Sequence, residues 1–455
     1  MNIRYIILLV GISFLFACEP KVDDFTTTAG QADFSNYVAI GNSLTAGYAD
    51  GDLYLSGQEN SYPAILAYQM KAAGGGEFNQ PLMFDEYGFG KRLLLDASIP
   101  GPVPAGKTPS DKNFESIAAS GPYNNMGIPG AKSFHLLAEG YGALNPYYGR
   151  FATSATSSVL GEAVVQNPTF FSCWIGNNDV LAYAITGGTT DSITDINTFS
   201  MAMGAILQGM SVDGTVKGVV ANIPDIKTLP YFSYMNTKLP YNGLVLDAEK
   251  AALLNGAYQQ FEQALAQYGI TWSYNFNFTA GPNAFVVEDE SIPFPDALAA
   301  FKVRQMTPGE MFLLTLPTDS ILNNGMGSVN TAGETPLPYG IPDKYFLSNT
   351  EVADIESATN AYNGVLLQLS NDLGLAHADM HAKLLELENS GLVYDGITYT
   401  SAFITGNSFS LDGVHLTAQG YAVVANLFIE AINGKYGSGL TSVNTRLYPG
   451  IYYYE

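Results

Sequence analysis

A serine and a carboxamide each stand just past a short apolar run in this chain, and a compact acid–imidazole pair lies close to its C-terminus. The stretch Tyr37-Val-Ala-Ile-Gly-Asn-Ser43 carries β-branched residues into a glycine turn and ends on Ser43. A run of that length and composition reads as a buried strand. Its last residues then lie at the sheet edge where the carboxyl ends of parallel strands leave a crevice. Close to the other end of the chain, Ser410-Leu-Asp-Gly-Val-His415 places Asp412 three residues before His415. A serine hydroxyl is a weak nucleophile until an imidazole accepts its proton, and the imidazole needs a carboxylate to fix its tautomer and stabilise its charged form. A second apolar run, Phe170-Phe-Ser-Cys-Trp-Ile-Gly-Asn-Asn-Asp179, ends in a glycine followed by carboxamides, which brings Asn178 to the same edge. Ser43 read alone is more simply a helix cap. Read with Asp412, His415 and Asn178 it is suited to nucleophilic acyl transfer.

Four segments, Gly41-Asn-Ser-Leu44, Asn125-Met-Gly-Ile-Pro-Gly130, Gly176-Asn-Asn-Asp179 and Asp412-Gly-Val-His415, resemble in order the four blocks of the SGNH (GDSL) hydrolase family. The resemblance implies Ser43 as nucleophile, His415 as base and Asp412 as its orienting acid. It implies an oxyanion hole made by the Ser43 amide, the Gly130 amide and the Asn178 side chain, and it calls for no cofactor and no metal. The implied activity is cleavage of carboxylic esters through an acyl-enzyme on Ser43, as in a GDSL-type lipase or acylhydrolase. The implied fold is α/β, a three-layer α/β/α sandwich of flavodoxin-like type on a parallel five-stranded sheet, with large insertions. Position 42 departs from the pattern: the family usually has Asp there and this chain has Asn42. Activity is expected to survive, because the triad carboxylate is Asp412. A lipid or aryl ester and an acylated glycan both remain open as substrate, the second making the chain a carbohydrate O-acetylesterase. From another class, the chain reads as a non-catalytic surface binding lipoprotein, although a binder needs none of these four residues together.

Strands are predicted near 37–41, 122–126, 169–176, 216–222 and 374–380, with amphipathic helical stretches between most of them, and that alternation implies a parallel sheet. Extra length is expected near 51–121, loop-rich around Ile99-Pro-Gly-Pro-Val-Pro-Ala-Gly106, and near 226–348. Within the latter, Leu244 to Tyr268 reads as a helix and Ile270 to Asp289 as a strand pair around Ala280-Gly-Pro-Asn283. The segment 306–327, apolar and then glycine-containing, reads either as a hinged lid or as a packed cap whose leucines are core. Phe294, Phe301 and Tyr339 are candidates to stack on sugar rings or to line an acyl groove.

The chain opens with Met1-Asn-Ile-Arg4, an apolar run from Tyr5 to Phe16, and Leu15-Phe-Ala-Cys18. The run is too short to span a bilayer and reads as a secretory signal over 1–17. Cys18 after Ala17 resembles a lipobox, which implies a lipid-anchored mature chain at the bacterial cell envelope, with the membrane as partner through Cys18 and a tether over 18–35. The body is expected to begin at residue 36. A formal net charge of −23 on 455 residues repels nucleic acid and anionic headgroups. With Cys18 lipidated, Cys173 has no partner for a disulfide and reads as a small core residue. His377-Ala-Asp-Met-His381 would align two imidazoles and a carboxylate on one strand face as a metal site. If the strand ends before His381, the three splay apart. His135 is expected in the helix after the second block, without an assigned partner.

Overall fold

The computed structural model describes residues 27–98, 101–271, 276–330, 337–451 and 453–454. The signal segment 1–17, Cys18 and the first part of the tether lie outside the described residues.

Five short apolar runs form one parallel sheet: β1 (Tyr37–Gly41), β2 (Asn125–Gly127), β3 (Phe170–Trp174), β4 (Lys217–Ala221) and β5 (Ala376–Ala378), in the order β2-β1-β3-β4-β5. Every residue of β1 and β3 is buried, which is why their sequences run apolar without alternation. Nine helices carry labels here: α1 (Ser43–Ala46), α2 (Tyr62–Lys71), α3 (Val159–Val164), α4 (Asn178–Ala184), α5 (Ile196–Ser211), α6 (Ala248–Gln267), α7 (Asn349–Asp372), α8 (Met380–Asn389) and α9 (Ala418–Tyr436). On one face of the sheet α2 packs on α9, with Tyr62 and Phe428 stacked at 4.6 Å between ring centroids. The other face carries α3, α5 and α7, where Phe199 and Tyr362 stack at 4.0 Å. The result is the three-layer α/β/α sandwich with the flavodoxin-like strand order. From β1 the chain steps outward to β2 and then crosses back to β3, so the crevice at the carboxyl ends opens between β1 and β3. Ser43 and Asn178 follow those two strands directly.

Several boundaries differ from the sequence reading. Residues 27–35 belong to the body: Phe34 is buried edge-on against Phe170, and the Gln31 N–H reaches the Tyr436 carbonyl at the end of α9. The stretch 51–121 contains α2, a layer helix of the sandwich, so its loop-rich material follows Lys71. Between Asp225 and Ser348, α6 starts at Ala248 because Asp247 caps it, accepting from the Lys250 N–H at 2.7 Å, and a strand Leu244–Leu246 precedes it. Among the described residues, Ile270 to Asp289 shows no strand pair of its own. Gly281–Asn283 pairs instead with Leu244–Leu246, and Val286–Glu288 with Val303–Gln305. A proline at 282 looks like a turn signal, yet it is tolerated in a two-stranded edge because an edge strand needs only half its hydrogen bonds.

The segment 306–327 is packed. Met306, Phe312, Leu316 and Met326 share a second core with Phe285, Val287, Ile341 and Phe346. Phe294 packs with Leu265 and Ile292, Phe301 lies 4.8 Å from Phe261, and Tyr339 borders the second core. None of these three aromatics lines the space around Ser43. Among the described residues no helix is long and apolar enough to cross a membrane.

Candidate active site

Ser43 is the first residue of α1. The helix is capped by Asn42, whose side-chain oxygen accepts from the Leu44 N–H at 3.0 Å. The same side chain donates to Asn177 Oδ1 at 3.0 Å, so Asn42 ties the turn after β1 to the turn after β3. A carboxylate at position 42 has no proton to donate in that bond. Ser43 Oγ lies 2.8 Å from His415 Nε2, and His415 Nδ1 lies 2.9 Å from Asp412 Oδ2. The carboxylate only accepts, so Nδ1 carries the ring proton and Nε2 is left to accept from the serine hydroxyl.

Asp412 is held in several directions at once. Its Oδ1 accepts from the backbone N–H groups of Val414 and His415 at 2.9 and 2.8 Å, and its Oδ2 accepts from the Gly51 N–H at 2.9 Å. Burial alone would raise its pKa, but the His415 charge and these hydrogen bonds outweigh it and hold the carboxyl far below the usual carboxylate range. Asp412 is therefore ionised at neutral pH.

Ser43, Gly130 and Asn178, the residues proposed for an oxyanion hole, border one cavity with His415. Gly130 has φ of +78°, a conformation suited to glycine, and a side chain there would meet open space rather than a neighbour. Asn178 uses one amide proton on the Ala131 carbonyl at 2.9 Å, which orients the side chain and leaves its second proton. Asp179, buried, accepts from the Ser133 N–H at 2.8 Å and its hydroxyl at 2.7 Å, stitching the segment after Gly130 to α4. Burial pushes the Asp179 carboxyl up, and the two Ser133 bonds act against that.

Two spaces of different character meet at Ser43. One is a narrow apolar slot of about 40 Å³, walled by Trp174, Ile223, Ile226, Leu229, Phe409 and Leu416. The other is a wider basin of about 360 Å³, bordered by Tyr48, Tyr147, Tyr231, Lys91 and the Gly130 backbone. Leu181 of α4 borders both. The Tyr48 ring lies 4.5 Å from the His415 ring and 6.3 Å from Tyr147.

Sequence reasoning missed the residues that brace this arrangement. The loop 49–52 straps the Ser43 turn to the Asp412 loop: the Asp50 N–H donates to Ser410 Oγ at 3.0 Å, and Asp50 Oδ1 accepts from the Leu411 N–H at 3.0 Å. Asp52, fully buried, accepts from the Phe89 and Lys91 N–H groups and from the Tyr147 hydroxyl, which fixes two walls of the basin. The available signal was the Asp50-Gly-Asp52 triplet, whose short polar residues favour turns.

The other candidates lie elsewhere. The strand at 376–378 ends before Asp379, which caps α8 through the Ala382 N–H, while His381 enters that helix with Nδ1 3.1 Å from the Ile223 carbonyl. The three residues His377, Asp379 and His381 thus splay, and among the described residues no group of three or more His, Cys, Asp or Glu is placed to hold a metal. His135 sits in a 3-10 helix, Ser133–Leu137, with Nδ1 accepting from the Lys132 N–H and its ring stacked on Tyr141. Cys173 is buried in β3, and burial pushes its thiol up to about 12, so it is inert core.

No family model matches the chain, and no curated protein matches it in sequence. Among solved structures, LAE5, described as an alpha/beta hydrolase enzyme from the metagenome of Lake Arreo, Spain, is similar at 11% identity and a TM-score of 0.36. That similarity covers 88% of this chain and 96% of LAE5. At so low a score it adds nothing to the geometry above. The chain has a five-stranded parallel α/β/α fold, and a serine, an imidazole and a carboxylate stand in hydrogen-bonded series at the switch point of its sheet.

Proposed function

We propose that the protein is a serine ester hydrolase of the SGNH (GDSL) kind, working through an acyl-enzyme on Ser43 without a cofactor. The observation that carries this reading is the series Ser43 Oγ, His415 Nε2, His415 Nδ1, Asp412 Oδ2, with contacts of 2.8 and 2.9 Å. In the first half-reaction Ser43 Oγ forms a bond to the ester carbonyl carbon while its proton passes to Nε2. The carbonyl oxygen becomes an oxyanion, for which the Ser43 and Gly130 amides and the free Asn178 proton supply donors. Collapse breaks the bond to the alcohol oxygen, which leaves with the proton held on Nε2. Water then gives a proton to Nε2, adds to the acyl carbon, and releases the acid as Ser43 regains its proton. Asp412 keeps its charge throughout and stabilises the imidazolium formed in each half.

Hydrolysis of p-nitrophenyl acetate by the wild type and by Ser43→Ala tests the reading. Turnover is expected to fall on the order of a millionfold on loss of the nucleophile, and to be unchanged by a chelator in the wild type. Turnover retained in Ser43→Ala would overturn it.

A further inference from the structure

The two spaces at Ser43 differ in size, polarity and access, and the order of chemical events assigns them different halves of an ester. During the first half-reaction the acyl group stays bonded to Ser43, whereas the alcohol must depart and water must enter before the second half begins. The smaller, more enclosed slot therefore suits the acyl group, and the more open basin suits the alcohol. The slot is walled by carbon: Trp174, Ile223 and Phe409 are each at most 2% exposed, and its polar groups, Asn42, Asn177, Asn178, Ser43 and His415, belong to the turns and loop around the reacting serine. At about 40 Å³ it has room for roughly three waters, given the ~10–15 Å³ one water needs. That suits a short acyl tail better than a fatty chain.

The basin is about nine times larger by the same measure, 360 against 40 Å³. Its borders include three phenol rings and a lysine beside the aliphatic Leu181, Ile185 and Val414. Tyr147 and Tyr231 spend their hydroxyl protons on Asp52 and the Ile185 carbonyl, which fixes both rings and leaves each phenol oxygen able to accept. Fixed aromatic faces with polar rims bind ligands that are apolar on one face and hydroxylated at the edge. A sugar ring has that character.

Resting on the serine-hydrolase reading, we propose that the slot takes acetyl-sized acyl groups and the basin takes a sugar, so that the enzyme removes short acyl groups from carbohydrate hydroxyls. The test is kcat/KM for p-nitrophenyl acetate, butyrate and octanoate with wild type, Leu229→Ala and Leu384→Ala, alongside an acetylated methyl glucoside and ethyl acetate with wild type and Tyr231→Ala. Leu384 of α8 and Leu229 line the slot from separate elements and are buried alike, at 8% exposure, so one variant serves if the other fails to fold. Wild type is expected to prefer acetate to octanoate by at least 100-fold, and either slot variant to raise butyrate relative to acetate by about tenfold. Tyr231→Ala is expected to lower kcat/KM for the sugar acetate at least tenfold while changing ethyl acetate less than threefold. Octanoate cleaved as well as acetate in a Ser43-dependent way would overturn the slot assignment and leave the serine mechanism standing. Equal loss on both acetates in Tyr231→Ala would overturn the sugar assignment. Absence of any Ser43-dependent turnover would overturn the parent reading, and this inference with it.

Discussion

At the scale of single residues, Asp412 shows how a carboxylate can be fixed by what surrounds it. Both of its oxygens are occupied by donors, the His415 ring and Gly51 on one and two backbone N–H groups on the other. Asp412→Asn leaves the shape and places an NH2 among those donors. Either the amide flips and abandons the Val414 and His415 N–H groups, or His415 is driven to the other tautomer and can no longer accept from Ser43. Turnover is expected to fall on the order of 10⁴-fold, with the fold intact by circular dichroism; a loss of less than tenfold would show that Asp412 does not set the tautomer. The depressed pKa also fixes a sign. Asp412 contributes stability that is present above the ordinary carboxylate pKa of about 3.9 and is lost as pH falls towards its folded value, so protonation of Asp412 does not limit the rate near neutral pH. That Ser43 and Asn178 follow strands, and that Asp412 lies beside His415, was legible in the sequence because each sits in a short motif with local spacing. The grip on Asp412 was not legible, since the Gly51 N–H comes from a loop 361 residues away in the chain.

At the scale of elements, the strap at 49–52 converts two separate turns into one unit. Asp50 has φ of +52°, a conformation that Asp and Asn tolerate better than Ala, and its carboxylate accepts from the Leu411 N–H and the Tyr54 hydroxyl. Asp50→Ala leaves both donors unsatisfied and is expected to cost about 1–3 kcal/mol, read as a lower Tm, together with a lower kcat. Asp50→Asn keeps the backbone conformation and an acceptor and should recover most of both. Equal damage from the two substitutions would mean that charge at position 50, not bracing, is what matters. The five strands were legible to within a few residues, because buried parallel strands announce themselves as unbroken apolar runs bounded by glycine and polar residues. The pairings within 226–348 were not. Leu244–Leu246 and Gly281–Asn283 meet only because α6 folds back between them, and local patterning carries no information about partners so far apart.

At the scale of the whole molecule, the junction between the insertion around the second core and the sandwich gathers carboxylates. Burial, then Glu351 at the start of α7 and the insertion's Glu290, Asp289 and Glu288, raise Asp343 to about 7. A carboxyl raised in the folded state contributes stability that is fully present below its unfolded pKa, about 3.9, and is lost as pH rises through about 7. Asp343→Asn is therefore expected to melt higher than wild type at pH 8 and to lose that advantage at pH 4, in paired thermal scans; a constant difference between the two would rule out the carboxyl as its source. The sandwich was legible from alternation of strand and helix, whereas this junction depends on which side chains an irregular segment brings together, and no periodic pattern encodes that. The span between Ser43 and His415, 372 residues, also has a consequence in time. A chain is made from its N-terminus, and domains assemble as their segments emerge. The serine is thus among the first parts of the fold to appear and its base among the last, so a nascent chain, or one cut short anywhere before residue 412, carries the nucleophile with nothing to take its proton. Synthesis itself acts as the safety catch on this site.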